Sequence, residues 1–400
     1  MPADTRKIFE SDPYLKEFEA TVLEVNALPQ GQGVVLDRTC FYPEGGGQPC
    51  DYGTLDGLPV RSVTESDGRI IHSVEGASFK PGDKVRGVLD WDRRFDHMQQ
   101  HSGQHLLSQA FVRVAKVDTV SFHLGSDEST IDVGIADLAE KTAADVEDEA
   151  NRIVFENRPL RISVRSAGDL DSIPLRKKPD LTGDVRLIEI ADYDWSLCCG
   201  THVRATGEIG LIKILQWEKY KSGTRVHFAC GSRALRIFQA KSGLVKSLSR
   251  LLTAGESEIE TIVLKWRDEK KTSEKRVAAL LDEVLTAEAG RLTASAVETG
   301  SCKLVSALFK DRDVQEVQNL GRKIVSSPGM VVILGAVGDR ATLFFGRSSD
   351  VKTDMRELQK AAAEVLTGKG GGSPNWAQCS SERTDLAEEA MAKAIDLLKL

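Results

Sequence analysis

Three of the seven histidines in the chain stand at a spacing of four, in HMQQHSGQHLL at residues 97–107. On an α-helix each step of four turns about 400°, so His97, His101 and His105 drift only about 40° at a time and lie along one face. Two imidazoles at i and i+4 converge readily on one metal ion. The outer pair, about 12 Å apart along the axis at about 1.5 Å per residue, does not. One histidine must therefore do something else. The helix also needs a partner to complete a site, and LCCGTHV at 197–203 offers one. It places a cysteine and a histidine four apart in a glycine-bearing turn after a strand, where glycine lets both side chains face one point. His101, His105, Cys198 and His202 together present three nitrogens and one sulfur, a donor set suited to tetrahedral zinc, one ion per chain. Cys199 is the alternative sulfur.

The pattern around these motifs divides the chain. Residues 1–90 hold short β-branched runs (FEATVLEVNAL, GVVLDRTCFY, GLPVRSVTES, RIIHSVEG) between glycine and proline turns. Such runs predict a small barrel or sandwich. At Trp91 the period changes to helical, with Phe95, Leu106, Leu107, Ala110, Phe111 and Val114 on one stripe. A second helix is expected over EKTAADVEDEANRIVFEN, ending before Pro159. Strands are expected at TIDVGI, LRISVRS, DVRLIEIAD and IGLIKILQWEKY, the last turning through Lys221–Ser222–Gly223 into TRVHFACG. From Ser232 to Ser295 the pattern is long, polar, helical and free of proline, with a break near Gly255. The remainder reads as a third unit, with VVILGAV and RATLFFGRS as strands, then a helix, the glycine run GKGGGSPNWAQC and a final amphipathic helix. The fold class is thus α+β: a β-barrel domain over 1–90, a metal-binding domain over 91–240, a helical arm over 241–300 and an α/β unit with a glycine-rich loop over 301–400.

Composition excludes several function classes. With 53 basic against 60 acidic residues, the net charge of −7 rules out a general basic coat for nucleic acid and gives no reason to expect DNA as a partner. Local basic grooves remain open at Arg93–Arg94, Arg176–Lys177–Lys178, Lys219–Lys221 and Arg225. The N-terminus lacks the apolar core of a secretion signal, and no apolar run reaches membrane-spanning length. The seven cysteines form no disulfide framework, so reduced thiols in the cytoplasm are expected. A zinc peptidase is disfavoured because Ser102, not glutamate, follows His101.

HSGQHLL followed about ninety residues later by LCCGTHV resembles the editing domain of alanyl-tRNA synthetase and its free-standing relatives, the AlaX trans-editing proteins. FYPEGGGQP at 41–49 is similar to that family's glycine motif, SGTRVHFACG to the strand closing its editing domain, and GKGGGSPNWAQC to the glycine-rich end of its C-terminal domain. The resemblance implies His101, His105, Cys198 and His202 as zinc ligands, with His97 left as a neighbouring or entrance residue. Cys199 departs from the family's glycine at that position. The 400 residues leave no room for an aminoacylation domain beside these parts, which implies an editor acting in trans. The implied substrate is alanine tRNA mischarged with serine or glycine, cleaved at the ester to the terminal ribose.

Such an ester is already activated, so positioning a water against its carbonyl supplies much of the rate. Selectivity is harder. Serine exceeds alanine by one hydroxyl, which a site built for alanine rejects by only about 1–3 kcal/mol. A second site that hydrogen-bonds the hydroxyl does better, because alanine then leaves buried polar groups unpaired. Gln104, Thr119 and Ser121 are the candidate readers. Gly45, Gly46, Gly47 and Gln48 are expected against the acceptor end of the tRNA, where glycine allows close backbone approach. Arg225, Lys369 and Gly371 are expected to contact RNA, with Trp376 as a stacking plane or a core residue. A monomer is the simplest expectation. Two rivals stand beside this reading: a non-catalytic RNA-binding protein held together by zinc, and an editor of another mischarged pair such as Ser-tRNA(Thr).

Overall fold

The computed structural model describes residues 4–29, 31–175 and 182–398. The basic run Arg176–Lys177–Lys178 lies outside the described residues. Two compact units are present, Met1–Leu251 and Leu252–Leu400.

In the first unit, six strands close into a barrel in the order Glu17–Leu28, Gly31–Leu36, Arg69–Glu75, Leu58–Ser66, Gly53–Leu55 and Lys84–Leu89. The closure is made by antiparallel pairing of Glu17–Thr21 with Lys84–Val88. Strand Arg69–Glu75 shows why these sequences form a closed sheet: alternate residues are buried along its whole length. Phe18, Val22, Leu36, Phe41, Leu55 and Ile70 fill the interior.

The chain leaves the barrel through Asp90, whose carboxylate accepts a hydrogen bond of 3.1 Å from the Arg93 amide and caps the helix Trp91–Ala115. That helix is the axle of the unit. Its apolar residues Met98, Leu106, Leu107, Ala110 and Phe111 pack against Ile131, Ile153, Ile188, Val226 and Phe228. These partners come from a four-stranded sheet (Ile212–Tyr220, Gly223–Cys230, Ser129–Val133, Thr119–Leu124), a three-stranded sheet (Leu160–Ser166, Asp184–Ile190, Asp194–Leu197) and the helix Glu140–Phe155. Gly103 makes the close packing possible, since a Cβ there would stand 2.2 Å from the Cys230 sulfur.

Arg94 is not part of a basic groove. It is fully buried, as is its partner Asp51. Its Nε donates to both Asp51 carboxylate oxygens at 3.1 Å, and its other nitrogens reach Asp51, the Pro13 carbonyl at 2.8 Å and the Cys40 carbonyl at 2.5 Å. This pair ties the first turns of the helix to the barrel. Sequence pattern could not distinguish it from a surface arginine, because its carboxylate partner lies 43 residues away.

The helix Gly231–Leu252 ends the first unit. The polar stretch then breaks over residues 253–255, with Thr253 in the left-handed region, before the helix Ile259–Ala294. The second unit is built on a six-stranded sheet with helices on both faces. The helix Val314–Ile324 and the end of Ile259–Ala294 cover one face. Met355–Leu366 and Ala387–Leu398 cover the other. Cys302–Lys310 runs parallel to Met330–Val337, joined by Val314–Ile324, and this strand–helix pair was not legible: CKLVSALFK is a short apolar run that periodicity alone does not assign. The glycine run is a strand rather than a loop. Lys369–Ser373 forms the exposed edge of the sheet, paired with Trp376–Ser381. Trp376 is half-buried against Phe344, and a Cβ at Gly346 would lie 2.4 Å from its ring, so it packs the sheet rather than offering a free plane.

Candidate metal centre

The two motifs that open the sequence reading meet within the first unit. One donor atom from each of His101, His105, Cys198 and His202 lies within 4.8 Å of every other. The histidine helix supplies the first two. The turn after strand Asp194–Leu197 supplies the others. The turn fits only because residue 200 is glycine: a Cβ there would stand 2.1 Å from His101 Cε1. Cys198 Sγ is 3.3 Å from His101 Nε2 and 3.4 Å from His202 Nε2. Cys199 is exposed and outside the cluster.

Each histidine is held through its other nitrogen. His101 Nδ1–H donates to Gln48 Oε1 at 2.8 Å, and that oxygen also accepts the Thr201 amide at 3.2 Å. Gln48 Nε2 donates to Thr201 Oγ1 at 2.9 Å. His105 Nδ1–H donates to Ser196 Oγ at 2.7 Å, and Ser196 donates to the Asp194 carboxylate at 3.2 Å. His202 Nδ1 meets Ser102 Oγ at 3.1 Å, which also accepts the Val203 amide. Fixing Nδ1 in this way selects the tautomer whose Nε2 lone pair faces the cluster. Burial pushes His101 down to about 3 and His202 well below its ordinary value, with the Arg186 charge adding to both. His101 and His202 are therefore neutral at physiological pH, each with a nitrogen lone pair free for a metal. Arg186, itself buried, donates to the Cys198 carbonyl at 2.7 Å and the Gly200 carbonyl at 2.9 Å, and so staples the turn.

The cluster separates two clefts. The wider, about 690 Å³, is lined by Tyr42, Gly45, Gly46, Arg186, Cys199 and the clustered residues His101, His105 and Cys198, among others. The narrower, about 380 Å³, is lined by Gln104, His105, Thr119, Ser121, Phe122 and Trp195 among others. His105, Phe122 and Leu197 belong to both. Gln104 is buried and donates to Ser108 Oγ at 2.9 Å, while its Oε1 has no hydrogen-bond partner. Thr119 donates to the same Ser108 oxygen at 2.7 Å, and Ser121 donates to Asp132 at 2.5 Å.

Not every expected site residue is where the sequence suggested. Gly45 and Gly46 line the wide cleft, but Gln48 is buried and holds His101 and Thr201. Gly47, at φ +81°, lets the turn lie against Phe122, where a Cβ would be 2.8 Å from the ring. Arg225 forms a two-pronged pair with Asp132 across the strand register, at 2.7 and 2.9 Å, and stacks on Tyr220. Lys369 and Gly371 sit on the edge strand of the second unit. His97 is not an entrance residue to the cluster. It is buried and lines a third cleft with Arg93, Arg233 and Arg236. Sequence reading missed Ser196, Ser102, Thr201 and Arg186. Two of these lie inside HSGQH and CCGTH, so the motifs carry their own supports.

Comparison with known proteins settles the family. The chain is 31% identical to alanyl-tRNA editing protein AlaX-L of Pyrococcus horikoshii, with 93% of each protein covered. The chain belongs to the alanyl-tRNA editing protein family. Aarsd1 of Mus musculus, another member, is 31% identical with 96% of each covered. The match to alanine–tRNA ligase of Pyrococcus abyssi is also 31% identical, over 99% of this chain but 44% of the ligase, so the chain spans less than half of that larger relative. Residues 185–227 match the family model described as threonyl and alanyl tRNA synthetase second additional domain, and residues 12–93 match that of class II (A) tRNA synthetases. The first match contains Arg186, Ser196, Cys198, Thr201 and His202. No helix among the described residues is long and apolar enough to cross a membrane.

Proposed function

We propose that the chain hydrolyses mischarged Ser-tRNA(Ala) in trans. Water adds to the ester carbonyl, the bond to the terminal ribose oxygen breaks, and free amino acid and tRNA leave. The observation that carries this reading is the convergence of three Nδ1-anchored histidines and Cys198 between two clefts, in a chain matching alanyl-tRNA editing proteins over nearly its whole length.

Zinc suits the donor set. Zn–N of about 2.05 Å and Zn–S of about 2.3 Å in a tetrahedron place nitrogen and sulfur about 3.6 Å apart, close to the 3.3 and 3.4 Å seen here. His101, His105, Cys198 and His202 would hold the ion, which when bound supplies a positive charge that anchors or polarises the aminoacyl group. The chain's own residues do the rest. The narrow cleft takes the aminoacyl side chain, and the wide cleft, with its glycine turn, takes the terminal adenosine. In the narrow cleft the unpartnered Gln104 Oε1 accepts the serine hydroxyl. An alanyl group offers that oxygen no hydrogen bond, so serine gains about 0.5–1.5 kcal/mol over alanine there.

The test is deacylation of Ser-tRNA(Ala) beside Ala-tRNA(Ala) and Ser-tRNA(Thr), with metal content assayed on the same protein. Fast loss of serine from the alanine tRNA alone, with one zinc per chain, is the expected result. Zinc retained without hydrolysis of any substrate would falsify the enzymatic reading and leave a structural metal in an RNA-binding protein. Preference for Ser-tRNA(Thr) would move the reading to the threonine pair, whose synthetases share the domain matched at 185–227.

A further inference from the structure

Three arginines are buried among the described residues: Arg94, Arg186 and Arg233. A guanidinium keeps its charge at physiological pH, and an enclosed charge is costly unless a counter-charge meets it. Two of the three follow that rule. Arg94 pairs with Asp51, and Arg233 pairs with Asp96 at 2.6 Å. Arg186 does not. It is only 8% exposed, yet its partners are all carbonyls, those of Cys198 and Gly200 on Nη1 and that of Glu10, at 3.3 Å, on Nε. Its Nη2 has no hydrogen-bond partner. The Glu10 carboxylate, which could have supplied the counter-charge, lies 3.9 Å from Lys7 instead.

The missing counter-charge can come from the wide cleft, which Arg186 lines beside the metal turn. Lys7, Glu10, Glu44, Glu65 and Asp184 line the same cleft. Lys7 is already paired with Glu65 at 2.7 Å. An anion entering the cleft is therefore repelled by its carboxylates and finds one unpaired cation there among the described residues, Arg186. A charge that develops only during a reaction cannot offset one that is permanently enclosed. A ground-state anion can. The aminoacylated end of a tRNA carries such an anion, the phosphodiester that joins the terminal adenosine to the nucleotide before it. Guanidinium N–H groups match phosphate oxygens in both charge and direction, and Nη2 has its N–H groups to offer.

We propose that Arg186 binds the phosphate of the terminal nucleotide in the wide cleft, Nη2 donating to a phosphate oxygen while Nη1 holds the metal turn. The assignment rests on that cleft taking the terminal adenosine. One guanidinium then ties the nucleotide to the turn that carries Cys198 and His202. Titration calorimetry on the metal-loaded full chain tests this without reference to hydrolysis. Adenosine 5′-phosphate should bind at least about tenfold tighter than adenosine, the worth of a charge-assisted hydrogen bond. Inorganic phosphate alone should bind more weakly than adenosine 5′-phosphate. Arg186→Gln should close most of the gap between the two nucleosides, and Arg186→Lys, which keeps the charge, should retain part of it. Lys7→Ala should leave the gap intact. The gap is a ratio within one protein, so an Arg186 that only braced the turn would lower metal content and both affinities together and leave the ratio unchanged. Equal binding of the two nucleosides by the wild-type chain overturns the proposal, even where Arg186→Gln fails to fold. A gap that survives Arg186→Gln, or that Lys7→Ala abolishes instead, overturns it as well, as does inorganic phosphate that binds as tightly as the nucleotide. A gap that depends on Arg186 in a chain that deacylates no tRNA would remove the hydrolase and leave the phosphate site standing.

Discussion

Two long helices in this chain look alike in sequence and behave oppositely. Trp91–Ala115 and Ile259–Ala294 are both rich in polar residues, but the first buries Arg94, His97, Gln99, Gln100, His101, Ser102, Gln104 and His105, while the second buries only Leu285 and Ala289. The difference is supply of partners. Gln100 trades both its amide groups with Cys230, accepting its N–H at 2.9 Å and donating to its carbonyl at 3.0 Å. Gln99 donates to the Glu208 carbonyl at 2.9 Å. Polar groups enter an interior when something waits for them there, and stay in water otherwise. Near its end the long helix does find partners, Arg312 for Glu288 and Lys323 for Asp282, each at 2.7 Å; along its exposed middle it offers only pairs within the helix, such as Lys265 and Glu269 at 3.8 Å, which water satisfies equally well.

The comparison is broken most severely at the metal turn. Gly200→Ala drives a methyl group into His101, which stands 2.1 Å away and is held from behind by Gln48. Elemental analysis of the purified variant should find the metal gone. Gly243→Ala, on the exposed face of the helix Gly231–Leu252 with nothing within 4 Å, should leave metal content unchanged. Full occupancy in Gly200→Ala would mean that the cluster does not assemble as described.

Next in size is the buried ion pair. Asp51→Asn leaves the Arg94 guanidinium charged and fully enclosed, at a cost of about 3–5 kcal/mol. Lys265→Ala on the long helix removes an exposed partner and should shift stability by no more than about 0.5 kcal/mol. Urea unfolding of both variants measures the contrast directly. Equal effects would show that Asp51 and Arg94 do not form the enclosed pair.

A smaller effect is expected one step out from the four clustered donors. Gln48→Ala removes the acceptor from His101 Nδ1–H without touching any of the four donors. Loss of such a support typically lowers metal affinity about 10- to 100-fold, which competition with a chromophoric chelator reads. Gln48→Glu keeps an acceptor and should recover most of that affinity. Unaltered affinity in Gln48→Ala would return Gln48 to the substrate-contact role its glycine motif suggested.

These positions also mark what could be read from the sequence. The cluster of His101, His105, Cys198 and His202 was legible because i,i+4 spacing on a helix and Cys-x-x-x-His in a glycine turn are local geometry. Most of the strands and helices of the first unit were legible because their apolar period or glycine boundaries are local too. Ser196 and Arg186 were not, since nothing near them in the chain says what they hold. Gln48 stood in a recognised motif, but its work is done 53 residues away on His101. Arg94 was misread for the same reason. Polar residues with distant partners look like surface until the fold brings the partner to them.

The finest test of the two helices uses the same substitution in each. Gly103 lies in the middle of Trp91–Ala115, and a Cβ there would stand 2.2 Å from the Cys230 sulfur and 3.3 Å from Ile209. Gly290 lies near the end of Ile259–Ala294, with nothing within 4 Å. Intrinsic preference alone favours alanine at both sites by about 1 kcal/mol. At Gly290 nothing opposes that term, so Gly290→Ala should raise stability by up to about 1 kcal/mol. At Gly103 the methyl must push the Cys230 strand away from the helix, and overpacking of that kind costs about 1–3 kcal/mol. The net sign should therefore reverse between the two variants in thermal or urea unfolding. Stabilisation by both would mean that the helix–strand contact at Cys230 yields easily, and that the enclosed helix is less tightly held than its polar partners imply.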